Sequence, residues 1–138
     1  MYERLLTYSD GGSRGNPGPA AIAFLIVTGD GMIINKKSSY LGIRTNNQSE
    51  YEALISALKA VKQLKTENVT CHLDSELVTR HLTGDYKVKN KELLKLWKQV
   101  QKLIKEFKEI KFISVPRTNE YIAEADRILN ITLDENLD

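Results

Sequence analysis

Residues 1–20 read MYERLLTYSDGGSRGNPGPA, a short alternating stretch that runs into Asp10 and then into a loop dense in glycine and proline. Four of the chain's eight glycines (Gly11, Gly12, Gly15, Gly18) and two of its three prolines (Pro17, Pro19) fall in the ten residues after Asp10. That density predicts a tight, backbone-exposing turn beside a carboxylate. Leu5 to Asp10 reads as a strand whose alternation puts Leu6, Tyr8 and Asp10 on one face and Leu5, Thr7 and Ser9 on the other. What else converges on Asp10 decides the fold and the site together.

Ala20 to Thr28 is a second, nearly continuous apolar strand, and Gly29-Asp30-Gly31 is a hairpin signal that returns Met32 to Leu41 antiparallel to it. The polar, cap-rich run Gly42 to Ser49 precedes a helix from about Ser49 to Leu64, whose apolar stripe is Leu54, Ala57, Leu58, Val61 and Leu64. Glu50 lies on that same inward stripe, four residues before Leu54, and an inward carboxylate in the first turn of a helix needs a partner. Val69 to Leu73 is a strand ending at Asp74, and Ser75 to Leu82 a short helix. Gly84-Asp85-Tyr86 breaks the chain before a helix from about Asn90 to Phe107. Ile110 to Val115 is the last strand, ended by Pro116. Asn119 starts a final helix with core positions Ile122, Ala125, Leu129 and Leu133 and with Asp126 against that stripe, fraying from Asp134 to Asp138. Antiparallel strands followed by alternating strand and helix predict an α/β fold whose later strands run parallel to the first.

With 138 residues, 41% hydrophobic and 28% charged, the chain reads as a single domain over residues 1–138. Its longest apolar run, Ala20 to Val27, is too short to span a bilayer, and the N-terminus lacks a signal-peptide layout, so a soluble, cytoplasmic protein is expected, with no membrane partner. Cys71 is the only cysteine, which excludes an internal disulfide or a cysteine-rich zinc site. The net charge of +2 conceals an asymmetry: nine lysines against three glutamates from Lys87 to Lys111, then six acids against one arginine from Asn119 to Asp138. On the Asn90–Phe107 helix, Lys91, Lys95, Lys98, Lys102 and Lys105 form one stripe opposite the apolar face. Such a stripe is commonly just a solvated face, but its single sign favours a phosphate-facing surface.

Four acids stand where an ordinary fold has little use for them: Asp10 and Asp74 end strands, while Glu50 and Asp126 face inward near helix beginnings. Each alone is more simply a cap, a turn or a surface ion pair. Gathered at the carboxyl edge of parallel strands, four like charges repel unless cations lie between them, and hard divalent ions held by oxygen ligands are the economical answer. Two such ions suit in-line attack on a phosphodiester. The glycine loop lacks the Gly-Lys-Ser/Thr ending of a nucleotide loop and the GxGxxG spacing of a dinucleotide site. His72 and His81 are read as structural, Tyr51 and Trp97 as core.

The segments Tyr8-Ser9-Asp10-Gly11-Gly12-Ser13-Arg14-Gly15-Asn16-Pro17-Gly18-Pro19, Thr45-Asn46-Asn47-Gln48-Ser49-Glu50-Tyr51-Glu52-Ala53-Leu54, Leu73-Asp74-Ser75 and Ala125-Asp126-Arg127 resemble type 1 ribonuclease H, and the resemblance runs essentially end to end. It implies a ribonuclease H-like fold: a five-stranded mixed sheet, three antiparallel strands then two parallel, flanked by helices. It implies that Asp10, Glu50, Asp74 and Asp126 are the catalytic, metal-binding acids, holding two Mg2+ or Mn2+ ions with substrate. The implied reaction is hydrolysis of the RNA strand of an RNA/DNA hybrid to a 3′-hydroxyl and a 5′-phosphate by a monomer without an obligatory protein partner, with double-stranded RNA a further substrate to be tested. Recognition of 2′-hydroxyls in a shallow minor groove calls for short polar donors and exposed backbone, which Gly11, Gly12, Asn16, Asn46 and Gln48 supply. Thr45 and Asn46 match family positions near phosphates and sugars.

Three features depart from the family pattern. No histidine lies between Pro116 and Ala125, where Arg117 or Glu124 is the candidate stand-in and an exposed structural role is the equal alternative for either. Asn119 sits about two turns before Asp126 rather than one. Gly84 to Asn90 is too short for the basic protrusion of some relatives, and Lys95, Lys98 and Lys102 are read as a partial substitute for it. The competing readings are a catalytically silent hybrid-binding module and another nuclease of the superfamily, such as a transposase or resolvase core. The four acids together weigh against the first, and the Thr-Asn-Asn-Gln-x-Glu segment against the second.

Overall fold

Hydrophobic alternation and capping residues divide the chain into β1 (Leu5–Ser13), β2 (Gly18–Thr28), β3 (Ile33–Arg44), α1 (Asn46–Gln63), β4 (Asn68–Leu73), α2 (Glu76–Thr83), α3 (Lys91–Ile104), β5 (Glu109–Ser114) and α4 (Glu120–Asn136) in a computed structural model that describes residues 2–137. The five strands form one sheet in the order β3-β2-β1-β4-β5. β1 and β2 pair antiparallel, as do β2 and β3, whereas β4 pairs parallel with both β1 and β5. The expected mixed sheet is therefore present. No helix among the described residues is long and apolar enough to cross a membrane.

β2 reads as continuous apolar sequence because both of its faces are covered. Phe24 and Ile26 join Leu5, Val69, Cys71 and Leu73 beneath α1 and α3, while Ala21, Ala23, Leu25 and Val27 join Tyr8 beneath Ile122, Ala125, Leu129 and Leu133 of α4. Leu54 and Leu58 are fully buried and contribute about 2 kcal/mol each to seating α1 on the sheet. That gain opposes the desolvation of Glu50 on the same stripe. The predicted α4 stripe is buried as expected. The histidines and aromatics also take the expected structural places: Tyr51 donates to or accepts from His81 Nδ1 at 2.7 Å inside the core, and His72 stacks on Tyr8 with ring centroids 4.3 Å apart.

Several boundaries differ from the sequence reading. β1 does not end at Asp10 but continues through Gly11, Gly12 and Ser13, because Gly11, Gly12 and Ser13 still pair with Ile22, Ala21 and Ala20 of β2. β3 runs on to Arg44 past a register shift opposite Ala20 and Ala21, with Gly42 at φ 82 absorbing the irregularity. α1 begins at Asn46, three residues before Ser49, because Thr45 and Gln48 form a reciprocal capping box. Glu50 thus lies in the second turn of α1. α3 ends at Ile104, before Phe107, although Phe107 is still buried. Asp134 to Asn136 remain helical rather than frayed, with Arg14 Nη1 2.7 Å from Asp134 Oδ1. Leu137 caps that helix, and Asp138 is outside the described residues.

Candidate active site

β1 and β4 pair in parallel as far as Ser9 and Leu73, so Asp10 and Asp74 occupy the next step on adjacent strands. Beyond that step β1 stays with β2 alone, and the sheet opens at its carboxyl edge, as crevices of α/β sheets do. Glu50 enters this opening from α1. A side chain on Gly11 would overlap the backbone carbonyl of Ser49 and crowd the Glu50 nitrogen, so only glycine lets strand and helix approach this closely. At that contact the Gly11 N–H donates to Glu50 Oε1 at 3.0 Å.

One oxygen from each of Asp10, Glu50 and Asp74 lies within 4.8 Å of the others. Asp126 lines the same cleft, of about 540 Å3, together with Gly12, Ser13, Arg14, Asn46, Arg117 and Asn130. Burial, and then the Asp74 charge, push the Asp10 carboxyl up to about 7. Burial followed by the charges of Asp10 and Asp74 also raises Glu50 well above the ordinary carboxylate range. Asp74 is raised by burial, with the Arg117 guanidinium, its Nε 3.3 Å from Asp74 Oδ2, opposing the rise. Glu50 Oε2 is buried and has no hydrogen-bond partner. An unpartnered inward oxygen among three crowded carboxylates fits a hard divalent cation, which would relieve the repulsion and complete the oxygen's coordination.

The two stand-ins for the missing histidine separate clearly. Arg117 is on the cleft. Glu124 accepts from Lys36 Nζ at 2.7 Å and from Arg127, which hold its carboxyl down to about 2, and it does not line the cleft. Asn119 is the N-cap of α4, accepting from the Tyr121 and Ile122 nitrogens, which gives it a structural task. The seven residues between α2 and α3 form no protrusion helix.

The substrate-facing candidates divide too. The Gly11 N–H is engaged by Glu50 and is not a free donor, contrary to the expectation of exposed backbone there. Thr45 caps α1 with its hydroxyl. Asn46 Oδ1 accepts from the Ser13 nitrogen at 2.8 Å, Asn16 Oδ1 accepts from the Asn46 nitrogen at 3.1 Å, and Gln48 Oε1 accepts from the Thr45 nitrogen at 2.9 Å. Each amide carbonyl is thus engaged by backbone, which orients the NH2 groups away from those contacts. Lys95 shares a small groove with Arg44, Gln48 and Glu52, and its ammonium lies 3.4 Å from Glu92 Oε1. Lys98 and Lys102 are exposed on α3 and line neither that groove nor the carboxylate cleft. Sequence reasoning passed over Arg14 and Asn130 as site residues. Asn130 had a legible signal, since it stands four residues after Asp126 on the same helical face.

The family described as "Reverse transcriptase-like" matches residues 8–125. Ribonuclease HI of Halobacterium salinarum is 39% identical over 96% of this chain, which spans 65% of that relative's length; a bifunctional protein of Mycobacterium tuberculosis is 38% identical over 95% of the chain, which spans only 36% of it. The crystal structure of RNase H1 from Halobacterium salinarum superposes with a TM-score of 0.90, covering 96% of this chain and 98% of that one. LC11-RNase H1 in complex with RNA/DNA hybrid, 35% identical, superposes at 0.91 over 97% of this chain and 99% of its own. With likeness in sequence and backbone over nearly its whole length, the chain belongs to the type 1 ribonuclease H family.

Proposed function

We propose that the chain is a metal-dependent endoribonuclease that hydrolyses the RNA strand of RNA/DNA hybrids. The observation carrying this reading is the meeting of Asp10, Glu50 and Asp74 within 4.8 Å, with Glu50 Oε2 buried and unpartnered. Asp10, Glu50, Asp74 and Asp126 would hold two Mg2+ or Mn2+ ions with substrate present. Bound ions of this kind activate water and stabilise the leaving oxygen of a phosphodiester. Water attacks phosphorus, the bond to the 3′-oxygen breaks, and the products carry a 3′-hydroxyl and a 5′-phosphate.

The chain's own groups select and orient the substrate. The oriented NH2 groups of Asn16, Asn46 and Gln48, with Asn46 on the carboxylate cleft, Asn16 bound to it and Gln48 on the groove beside Lys95, make a donor surface suited to 2′-oxygens and minor-groove acceptors of an A-like duplex. Gly12 leaves the cleft floor open beside Asp10, and Gly11 acts by admitting Glu50. Thr45 holds this donor edge through the cap rather than by a free side chain. Arg117 lies against Asp74, where it balances charge as substrate phosphate arrives and leaves. Lys95, Lys98 and Lys102 add phosphate contacts along α3. Their joint replacement by glutamine should reduce the salt slope of hybrid affinity by up to about 3, roughly one unit for each lost contact.

The test incubates labelled hybrid, double-stranded RNA and double-stranded DNA with and without Mg2+ or Mn2+, alongside Asp10→Asn. Metal-dependent cutting of the RNA strand in the hybrid, abolished in the variant, is the expected outcome. Absence of hybrid cleavage in either metal would sink the reading, cleavage of double-stranded DNA would favour a transposase-like nuclease, and the double-stranded RNA arm settles substrate breadth.

A further inference from the structure

Asp126 differs from the other three acids in how it is held. Asp10 and Asp74 are carried by adjacent strands, and Glu50 is clamped by the Gly11 backbone. Asp126 projects from α4, and its orientation rests on polar side chains. Asn130, one turn further along α4, places Nδ2 2.9 Å from the Asp126 carbonyl oxygen and 3.3 Å from Asp126 Oδ1, so a single NH2 group fixes both backbone and carboxylate. The opposite end of the same amide is fixed in turn. Arg14 Nη2 donates to Asn130 Oδ1 at 3.3 Å and to the Asn130 carbonyl at 3.4 Å, while Arg14 Nη1 is 2.7 Å from Asp134 Oδ1. Arg14 belongs to the glycine loop that follows Asp10, and its backbone nitrogen is tied to the Pro19 carbonyl at 2.8 Å. The chain of contacts Arg14, Asn130, Asp126 thus connects the loop to the acid across the cleft that all three line.

We propose that Asn130 is a positioning residue for Asp126, with Arg14 setting the rotamer and amide orientation of Asn130. The proposal rests on the metal-dependent reading above. An Asn back-bonded to its own helix is common and need do nothing more, as Asn136 does with the Thr132 carbonyl at 2.7 Å. Asn130 departs from that pattern in two respects: its NH2 also reaches a carboxylate oxygen, and its carbonyl is occupied by a guanidinium from another element. That is the arrangement of an outer partner that orients a metal-binding acid, the kind whose loss typically weakens metal affinity or activity.

A double-mutant cycle on the full chain tests it, with Mn2+ binding to the protein alone read by electron paramagnetic resonance and hybrid cleavage read at varied Mn2+. Asn130→Ala is expected to weaken Mn2+ binding and lower kcat by about tenfold, the lower end for such partners. KM for hybrid should stay unchanged, and excess Mn2+ should restore part of the rate. In an Asp126→Ala background the same substitution should change neither quantity, because the group it acts through is gone. Mn2+ binding unaltered in Asn130→Ala, or an equal loss in both backgrounds, would overturn the proposal, the latter by showing a general structural effect. Mn2+ binding that weakens in Asn130→Ala, in a protein whose wild type cuts no hybrid, would uphold the positioning role and sink the nuclease reading instead.

Discussion

The two walls of the cleft hold their acids by different physics. On the α1 side, Glu50 is placed by direct contact of backbones: Gly11 lies against Ser49 with no room for a side chain, and one N–H bond completes the clamp. On the α4 side, Gly12 faces Leu129, and an added Cβ there would come 3.3 Å from the end of a flexible side chain. Asp126 on that wall is steered by Asn130 and Arg14 rather than by packed backbone. A backbone contact has no low-energy way to adjust, whereas a leucine rotamer or a polar relay can give by tenths of an ångström. The first wall should therefore fail abruptly when disturbed and the second by degrees.

Gly11→Ala breaks the stiff wall. The new methyl forces α1 off β1, which should cost about 3 kcal/mol in urea unfolding. It should also lower hybrid cleavage at least about 100-fold, the scale associated with a misplacement of about an ångström. Near-normal stability and rate in this variant would show that the α1 wall is as adaptable as the other.

The electrostatic strain stored on the stiff side gives an effect comparable in stability but without the loss of backbone geometry. Burial and the Asp74 charge push the Asp10 carboxyl up to about 7 in the folded, metal-free protein, against near 4 when unfolded. Because the folded value is the higher one, its contribution to stability is fully present below about pH 4 and is lost as the pH rises through 7. Glu50 and Asp74 are raised in the same direction. Thermal unfolding in the presence of a chelator should show Tm falling from pH 4 to pH 8, corresponding to no more than about 4 kcal/mol from Asp10 at 1.36 kcal/mol per unit. Added Mg2+ should restore Tm at the upper end, and Asp10→Asn should flatten the fall. A Tm that rises over this range in the wild type would contradict the raised values.

Gly12→Ala is the mild counterpart of Gly11→Ala. With only the Leu129 methyl to displace, stability should stay within about 1 kcal/mol of wild type, and hybrid cleavage should persist. A loss matching that of Gly11→Ala would erase the contrast between the walls.

Much of this is legible in the sequence. The hairpin at Gly29-Asp30-Gly31, the buried stripe of α4 and the inward position of Glu50 all follow from local periodicity and turn chemistry, and each is found in the structure. Where the reading fell short, the deciding interaction was non-local or reciprocal. β1 continues past Asp10 because β2 supplies pairing partners for Gly11 to Ser13, and glycine content alone cannot reveal that. α1 starts at Asn46, behind its Thr45 cap, because two side chains cap each other's backbone, a pattern visible as Thr-x-x-Gln but easily absorbed into a polar loop. The lysine stripe was legible as a stripe, yet periodicity does not say what a helix face looks towards. The fold directs Lys95 to a groove shared with Gln48 and leaves Lys98 and Lys102 in solvent.

The sequence by itself determined the order of elements, the four carboxylates that stand out from the apolar pattern and the resemblance to a family, because spacing, capping and apolar period are properties of neighbours along the chain. Only the tertiary structure decided which oxygens meet, that Gly11 is a hinge of contact rather than a free donor, that Arg117 and not Glu124 faces the acids, and that Asn130 links Asp126 to Arg14. Those are distances between residues from 4 to 116 positions apart, and they exist only once parallel pairing of β1 and β4 and the burial of two helices on opposite faces have fixed where each side chain ends.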